Sequence, residues 1–139
     1  MKKEFQVPSD LELVSKASAD VLAFLKPLKL DEGEVFDIRL CLEEALINAM
    51  KYGNRLDKDV PVKLTAGFDD GSVEITIEDQ GPGFDVRRLK DCTQDENALR
   101  NHGRGVHLMQ QLMDEVKYND RGNRVLMVKH LKHRREHGR

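Results

Sequence analysis

Glu44-Ala45-Leu46-Ile47-Asn48 is the stretch of sequence on which the prediction of the fold rests. It lies in a helical pattern that we predict to begin near Asp31 and to end near Tyr52, because Gly53-Asn54 follows as a stop signal. Apolar residues recur through this pattern at the spacing of one helical face. The predicted apolar stripe comprises Val35, Ile38, Leu42, Ala45, Leu46 and Ala49.

The same helix carries a polar pair on a second face. Glu44 and Asn48 are four residues apart, so both project from one side of the helix, away from Leu42 and Leu46. A carboxylate beside an amide oxygen suits a hard cation such as Mg²⁺. Lys51 lies just behind the pair. A solvated helix face uses the same residue types, so the pair alone leaves both interpretations open.

The sequence before and after this helix predicts further elements. A short strand over residues 4–8 precedes a helix that Ser9-Asp10 would cap and Pro27 would end. Alternating apolar residues on either side of Asp69-Asp70-Gly71 predict a β-hairpin. They are Val62, Leu64 and Ala66 on one strand and Val73, Ile75 and Ile77 on the other.

The C-terminal half begins with a long polar stretch that ends at His102. Loops of this length are uncommon in compact domains and are usually functional. We predict a third helix at about 105–113 and two more strands near 116–119 and 124–131. The order of elements predicts an α+β fold, a two-layer α/β sandwich in which a mixed, mostly antiparallel sheet is covered on one face by helices.

Length and composition exclude several classes of protein. A chain of 139 residues is the size of one domain. No apolar run approaches the ~20 residues that a membrane span needs, and the N-terminus does not resemble a signal peptide. Cys41 and Cys92 form no CxxC pair, so a zinc ribbon or a disulfide scaffold is not expected and a reducing cytoplasm is.

Charge is unevenly spread along the chain. The segment from Lys129 to Arg139 holds five Lys/Arg and one Glu, whereas the remainder has 18 basic and 24 acidic residues. An acidic body argues against a nucleic-acid-binding domain. The basic tail could contact an anionic partner or could simply be solvated.

A second polar cluster, Asp79-Gln80-Gly81-Pro82-Gly83-Phe84, directly follows the second strand of the predicted hairpin. Glycines allow backbone to approach a ligand closely, and the Asp79 carboxylate could accept a hydrogen bond from a donor such as an exocyclic amine. A tight turn would use the same residues.

The third cluster, Gly103-Arg104-Gly105-Val106-His107-Leu108, opens the third helix. Free backbone N–H groups at a helix N-terminus favour anions, and a guanidinium suits phosphate oxygens. A helix cap with an exposed arginine is the alternative. The sequence contains no Walker-type P-loop motif.

Taken in order, the three clusters resemble the N, G1 and G2 boxes of the GHKL, or Bergerat-fold, ATP-binding domain. Within that superfamily the chain is most similar to the bacterial anti-sigma factor serine kinases of the RsbW and SpoIIAB type. The segment from Gln94 to Arg100 and the segment from Gly103 to Val116 carry much of this likeness. The resemblance extends from about Phe5 to Leu131.

The resemblance implies a role for each box residue. Asn48 would hold Mg²⁺, Glu44 would be the general base for phosphoryl transfer, and Asp79 would bind the adenine amino group. Arg104 would meet the γ-phosphate and counts with Glu44 as catalytic. The implied nucleotide contacts also include Lys51, Gly81, Gly83, Gly103, Gly105, Val106 and His107.

The resemblance also implies how the chain is divided. Residues 1–131 would form a single ATPase domain with an ATP lid at about 85–102, and residues 132–139 would be a short basic tail. The chain departs from the family pattern at Tyr52, where histidine is frequent, at Asn101-His102, where Pro-Ser is frequent, and at Cys92, where proline is frequent. These departures affect the lid and the end of the helix rather than the boxes.

The function implied is an ATP-dependent protein serine kinase that also sequesters a sigma factor. It would phosphorylate an anti-anti-sigma protein of the STAS type, and the kinase would be a homodimer with Phe5–Val7 and the first helix as candidate contact surfaces. A nucleotide-gated binding module or switch kinase with a non-sigma partner is the alternative. The length leaves no room for the transducing domains of chaperones or topoisomerases, and no direct nucleic-acid or membrane partner is expected.

Overall fold

The computed structural model describes residues 1–81 and 104–132, and the predicted lid and basic tail fall outside these ranges except for Lys132. The order of elements is the predicted one, and the predicted α+β fold is confirmed. The strands and helices are β1 (Lys2–Val7), α1 (Val14–Phe24), α2 (Glu32–Asn48), β2 (Val62–Phe68), β3 (Ser72–Glu78), α3 (Arg104–Leu112), β4 (Glu115–Tyr118) and β5 (Arg124–His130).

The strands form one five-stranded sheet in the order β1-β2-β3-β5-β4. The predicted hairpin is confirmed: β2 pairs with β3, and Leu64 lies opposite Ile77 and Ala66 opposite Ile75. All four pairings between the described strands are antiparallel, so the expected mixed component is not found among them. Short turns join β2 to β3 and β4 to β5, which favours antiparallel pairing in these two hairpins.

Helix α2 begins at a capping box. The Asp31 carboxylate accepts a hydrogen bond from the Glu34 backbone at 2.7 Å, and the Glu34 carboxylate accepts one from the Asp31 backbone at 3.1 Å. At its other end the α-helix stops at Asn48 and continues as one π-helical turn, Ala49–Gly53. The prediction of a helix to about Tyr52 is therefore correct in extent, and the π-turn sets the direction in which Tyr52 and Gly53 leave the helix.

Helix α1 is shorter than its sequence pattern suggests. Asp10 does act as a cap, because its carboxylate accepts from the Glu12 backbone at 3.0 Å, but the turn that it caps is a 3₁₀ turn before α1. Ser9 instead donates its hydroxyl to the Val60 carbonyl at 2.5 Å. Pro27 lies in a second 3₁₀ turn after α1, as expected for a residue that cannot continue a helix.

One apolar layer fills the space between the helices and one face of the sheet. On β2, Val62, Leu64 and Ala66 are buried, whereas Lys63 and Thr65 are more exposed. The fully buried large side chains include Leu25, Ile38, Leu42, Leu46, Met50, Leu64, Ile75, Met109 and Met127. Aliphatic and methionine side chains thus supply this layer.

The predicted apolar stripe on α2 is wrong at one position. Val35 is only half-buried and lies beside Phe36, which is 61% exposed. The buried face is displaced around the helix and includes Cys41, where burial raises the pKa of the thiol to about 12. Met50 joins this face beyond the end of the α-helix.

Helix α3 is tied to α2 through a lysine on β5. The Lys129 ammonium lies 3.0 Å from the Asp37 carboxylate on α2 and donates to the Leu112 carbonyl, at the end of α3, at 2.8 Å. A cation at a helix C-terminus is stabilised by the helix dipole. In residues 1–81 and 104–132, no helix has both the length and the apolar character that crossing a membrane requires.

Candidate functional site

A cleft lies where the C-terminal part of α2, the end of β3 and the turn between β4 and β5 meet. It brings Asn48 and Asp79, from two separate predicted clusters, into one lining. In this conformation its cavity volume is about 30 Å³, which is enough for about one water molecule. A larger ligand therefore needs the cleft to widen. The lining residues are Ala45, Asn48, Ala49, Tyr52, Gly53, Ile77, Asp79, Tyr118, Gly122, Asn123, Arg124 and Val125.

Asn48 contributes a buried amide that the fold itself does not use. Its Nδ2 is the one buried side-chain nitrogen or oxygen, among the residues that the structure describes, without a hydrogen-bond partner. Leaving such a donor unpaired costs about 1–3 kcal/mol. An amide held in a cleft at this cost is a candidate ligand-binding group.

Asp79 is fixed in the cleft by its backbone and by one carboxylate oxygen. Its N–H donates to the Asn123 carbonyl at 2.9 Å, and its own carbonyl accepts from Asn123 Nδ2 at 3.0 Å. Oδ1 accepts from the Gly81 backbone at 2.8 Å. Burial raises the pKa of the Asp79 carboxyl, and the Gly81 N–H and the Arg121 guanidinium oppose this shift in part.

Two glycines allow the Asp79 loop to lie directly against the end of α2. A Cβ on Gly53 would overlap the Asp79 carboxylate, and a Cβ on Gly81 would overlap the Gly53 carbonyl. No side chain can occupy either position without moving backbone or the carboxylate. This close approach places Asp79 in the same cleft as Asn48.

Tyrosine side chains line the cleft from two directions. Tyr118 comes from β4, and burial together with the nearby Asp79 carboxylate raises the pKa of its hydroxyl. Tyr52 comes from the π-turn after α2, and the Lys51 ammonium lies 5.6 Å from its ring centroid. Lys51 itself is exposed and is not part of the lining.

Glu44 and Glu43 are used differently although they are adjacent on α2. Glu43 accepts hydrogen bonds from the Ser18 hydroxyl at 2.6 Å and from Arg39 Nε at 3.3 Å, so it connects α2 to α1. Glu44 is half-buried one turn before Asn48 and has no hydrogen bond or ion pair within residues 1–81 and 104–132. It does not line the cleft in this conformation.

The residues expected to contact phosphates are only partly described. Gly83 and Gly103 lie outside the described residues, and Arg104 and Gly105 are described only as the start of α3. Val106 is 2% exposed and its side chain belongs to the core, and its contact with a nucleotide stays a prediction. His107 is half-buried.

Sequence reasoning missed the contribution of the turn between β4 and β5. Tyr118, Gly122, Asn123 and Arg124 line the cleft, and Arg121 donates to the Gly81 carbonyl at 2.9 Å. The signal was present as Asn119 at the end of one predicted strand and Asn123 just before the next. It could not be interpreted before the sheet order placed β5 beside β3.

Comparison with known proteins identifies the class of protein to which this fold belongs. The model of the histidine kinase-like ATPase domain matches residues 7–129, so the chain belongs to that family. Similar relatives are named serine-protein kinase RsbW. The one from Staphylococcus epidermidis is 28% identical over 137 residues, 93% of this chain and 86% of the relative. The one from Bacillus subtilis is 27% identical over 135 residues, 92% and 84% respectively.

A solved structure also shares the fold. The crystal structure of the RsbU and RsbW domains of a Mycobacterium tuberculosis protein matches with a TM-score of 0.63 at 14% identity. The match covers 94% of this chain and 32% of that one. At this identity the likeness concerns the fold.

Proposed function

We propose that the chain is an ATP-dependent protein serine kinase that acts in the cytoplasm as an anti-sigma regulatory factor. It phosphorylates a serine on a STAS-type anti-anti-sigma protein and, when that protein is not available, holds a sigma factor. The observation that carries this proposal is the meeting of Asn48 and Asp79 in one cleft. Family membership and the names of the relatives support the choice of reaction.

The residues present fit a magnesium ion bound together with a nucleotide. The described residues hold no group of three His, Cys, Asp or Glu that could bind a metal ion by themselves. Mg²⁺ commonly takes one or two protein oxygens and completes its shell with phosphate and water. The Oδ1 of Asn48 would be such a single protein ligand, and its unpaired Nδ2 would remain available to donate to a phosphate oxygen. When bound, Mg²⁺ supplies neutralisation of charge on the phosphates.

Each side chain of the site then has a distinct task. Asp79 presents its Oδ2 to the amino group of adenine, because Oδ1 is already bonded to Gly81. Glu44 accepts the proton of the incoming serine hydroxyl, a role for which it is free because it has no partner in the described part of the chain. Arg104 places a positive charge near the γ-phosphate at the start of α3.

Nucleotide binding is tested by thermal unfolding with and without Mg·ATP. A ligand at 100 times its Kd stabilises by about 2.7 kcal/mol, a shift of roughly 10 °C for a domain of this size. We expect this shift in the wild type and its loss in Asn48→Ala. Absence of a shift in the wild type would overturn ATP binding and leave an ATP-independent binding module.

The kinase reaction is tested by mass spectrometry of a STAS-domain protein from the same organism after incubation with the chain and Mg·ATP. We expect phosphoserine with the wild type and a rate about 10²–10⁴-fold lower with Glu44→Gln. Glu43→Gln is the matched control, because Glu43 bonds to Ser18 and Arg39 rather than lying free. Equal losses in the two variants would contradict the role of Glu44.

The partners form a separate part of the proposal. We propose a homodimer, supported by β1, whose outer edge pairs with no other strand described in the sheet. Gel filtration at low protein concentration tests it, and a clean monomer would contradict it. A pull-down that recovers a regulator other than a sigma factor would favour a switch kinase with a different partner.

A further inference from the structure

We propose that Asn54 is a positioning residue that sets the Asp79 carboxylate for recognition of the nucleotide base. This inference rests on the proposed function, because it assumes that Asp79 reads the exocyclic amine of adenine. Asn54 follows the π-turn directly and is 6% exposed. It does not line the cleft and would act only through the loop that carries Asp79.

The two ends of the Asn54 side chain bond to different parts of the molecule. Oδ1 accepts a hydrogen bond from the Gln80 backbone at 2.8 Å, immediately after Asp79. Nδ2 lies 3.0 Å from the Ser9 hydroxyl, 3.0 Å from the Val60 carbonyl and 3.2 Å from the Pro61 carbonyl. Oδ1 therefore fixes the loop that carries Asp79. Nδ2 fixes the loop before β2 and the N-terminal segment.

The main chain of Asn54 fixes the side chain relative to α2. Its N–H donates to the Ala49 carbonyl at 2.8 Å, which closes the π-turn. Because every end of this residue is bonded, the Gln80 N–H has one defined distance from the helix that carries Asn48. A backbone amide held in this way cannot turn away from α2 without breaking a buried hydrogen bond.

Because the walls of the cleft are closely packed, the cleft is sensitive to the distance between the Gln80 N–H and α2. Gly53 lies against the Asp79 carboxylate and Gly81 lies against the Gly53 carbonyl, so neither glycine tolerates a Cβ. On its other side the loop is held by Asn123, which bonds both the N–H and the carbonyl of Asp79. Asn54 thus fixes the loop on the side of α2, whereas Asn123 and Arg121 fix it on the side of the β4–β5 turn, and loss of the Asn54 bond frees only the side nearest α2.

The experiment compares the affinity of the full chain for Mg·ATP with its affinity for Mg·ITP, which lacks the exocyclic amine. In the wild type we expect ATP to bind about 10- to 100-fold more tightly, the factor for one hydrogen bond to a charged acceptor. In Asn54→Ala we expect this ratio to fall at least several-fold. Asn54→Asp keeps an acceptor for the Gln80 N–H but turns a second acceptor toward the Val60 and Pro61 carbonyls, so it should restore part of the ratio while lowering the unfolding temperature.

The control is Ser9→Ala, which removes a partner of the Nδ2 end and leaves the Gln80 bond in place. It should lower the unfolding temperature and keep the wild-type ratio. Destabilisation of a variant does not affect the comparison of ATP with ITP. Partial unfolding raises both apparent Kd values by the same factor, so their ratio is unchanged. In the kinase assay Asn54→Ala should raise KM for ATP and leave kcat near the wild-type value.

The outcomes separate this inference from the proposed function. A wild type that binds neither nucleotide overturns the proposed function and the inference with it. A wild type that prefers ATP while Asn54→Ala keeps the same preference overturns the inference alone. A ratio that falls equally in Ser9→Ala and Asn54→Ala also overturns it, because general loosening of the network would then be the cause.

Discussion

The two walls of the cleft use the same side chain in opposite ways. On the helix wall, formed by α2 and the π-turn, the Asn48 amide has an unpaired Nδ2. On the turn wall, formed by Asp79 and the β4–β5 turn, the Asn123 amide is paired at both ends: Nδ2 donates to the Asp79 carbonyl at 3.0 Å, and Oδ1 accepts from Asn119 at 2.7 Å. One amide is left available for a ligand and the other maintains the fold.

This difference explains how the cleft can keep a fixed shape and still offer an unpaired polar group to a ligand. A buried amide that bonds within the protein stabilises it, whereas one without a partner carries a cost that a ligand can remove. The helix wall can carry such a cost because it rests on an apolar core. The turn wall is held in shape by hydrogen bonds from Asn119, Arg121 and Asn123.

The largest effect is expected from the core beneath the helix wall. Leu46 is fully buried on α2, two residues before Asn48. Leu46→Ala should lower the free energy of unfolding by about 2–5 kcal/mol, because it removes apolar contacts and leaves a cavity. Urea denaturation measures this. Leu56→Ala, at a leucine that is 44% exposed, is the control and should change it by less than about 0.5 kcal/mol.

The contact between the two walls gives the next largest effect. A Cβ on Gly53 would overlap the Asp79 carboxylate, so Gly53→Ala should cost about 1–3 kcal/mol by overpacking and should weaken binding of Mg·ATP. Gly33→Ala is the matched control within α2. There the nearest atom to the new Cβ, Asp31 Oδ1, lies at an ordinary 3.5 Å, so this variant should be stabilised by about 0.5–1 kcal/mol. Similar thermal shifts in the two variants would mean that the walls do not touch as described.

The comparison of the two amides is tested directly by removing each of them. Asn123→Ala leaves the Asp79 carbonyl and Asn119 Nδ2 without these partners, so it should lower the free energy of unfolding by about 1–2 kcal/mol. Asn48→Ala removes the buried unpaired donor, so it should raise the free energy of unfolding by up to about 1–3 kcal/mol, while abolishing the Mg·ATP shift. Equal losses of stability without nucleotide would remove the distinction between the walls.

The helix wall and Asp79 could be predicted from the sequence, whereas the contribution of the β4–β5 turn could not. Helical and strand periodicity are local signals. Neighbouring residues therefore predict α2, the β2–β3 hairpin and the side of α2 on which Asn48 lies. Asn123 meets Asp79 only because β5 lies beside β3, which is a matter of sheet order. Asn54 likewise joins Ser9 to Gln80, residues that are far apart in the sequence. Val35 was wrongly assigned to the buried face of α2, because the spacing of apolar residues along a helix does not show where the edge of that face lies.

The smallest effect concerns the charge on the turn wall. Burial raises the pKa of Asp79, so the folded protein holds this proton more tightly than the unfolded chain does. Its contribution to stability is complete below the unfolded carboxyl pKa of about 3.9 and is lost as pH rises through the raised folded value. Asp79→Asn should therefore be slightly more stable than the wild type at pH 7, and the difference should shrink toward pH 4. Urea midpoints across this range measure it.

Asp69→Asn gives the opposite sign and serves as the control. Hydrogen bonds from the Gly71 and Ser72 backbones lower the pKa of Asp69, so its contribution is present at neutral pH and is lost as pH falls through the lowered value. This variant should be less stable than the wild type at pH 7. Asp79→Asn should also lose the Mg·ATP shift, because its Oδ1 partner is Gly81 and the remaining group becomes a donor facing another donor. If Asp79→Asn were destabilised at pH 7 as Asp69→Asn is, the carboxylate would serve the fold rather than a ligand.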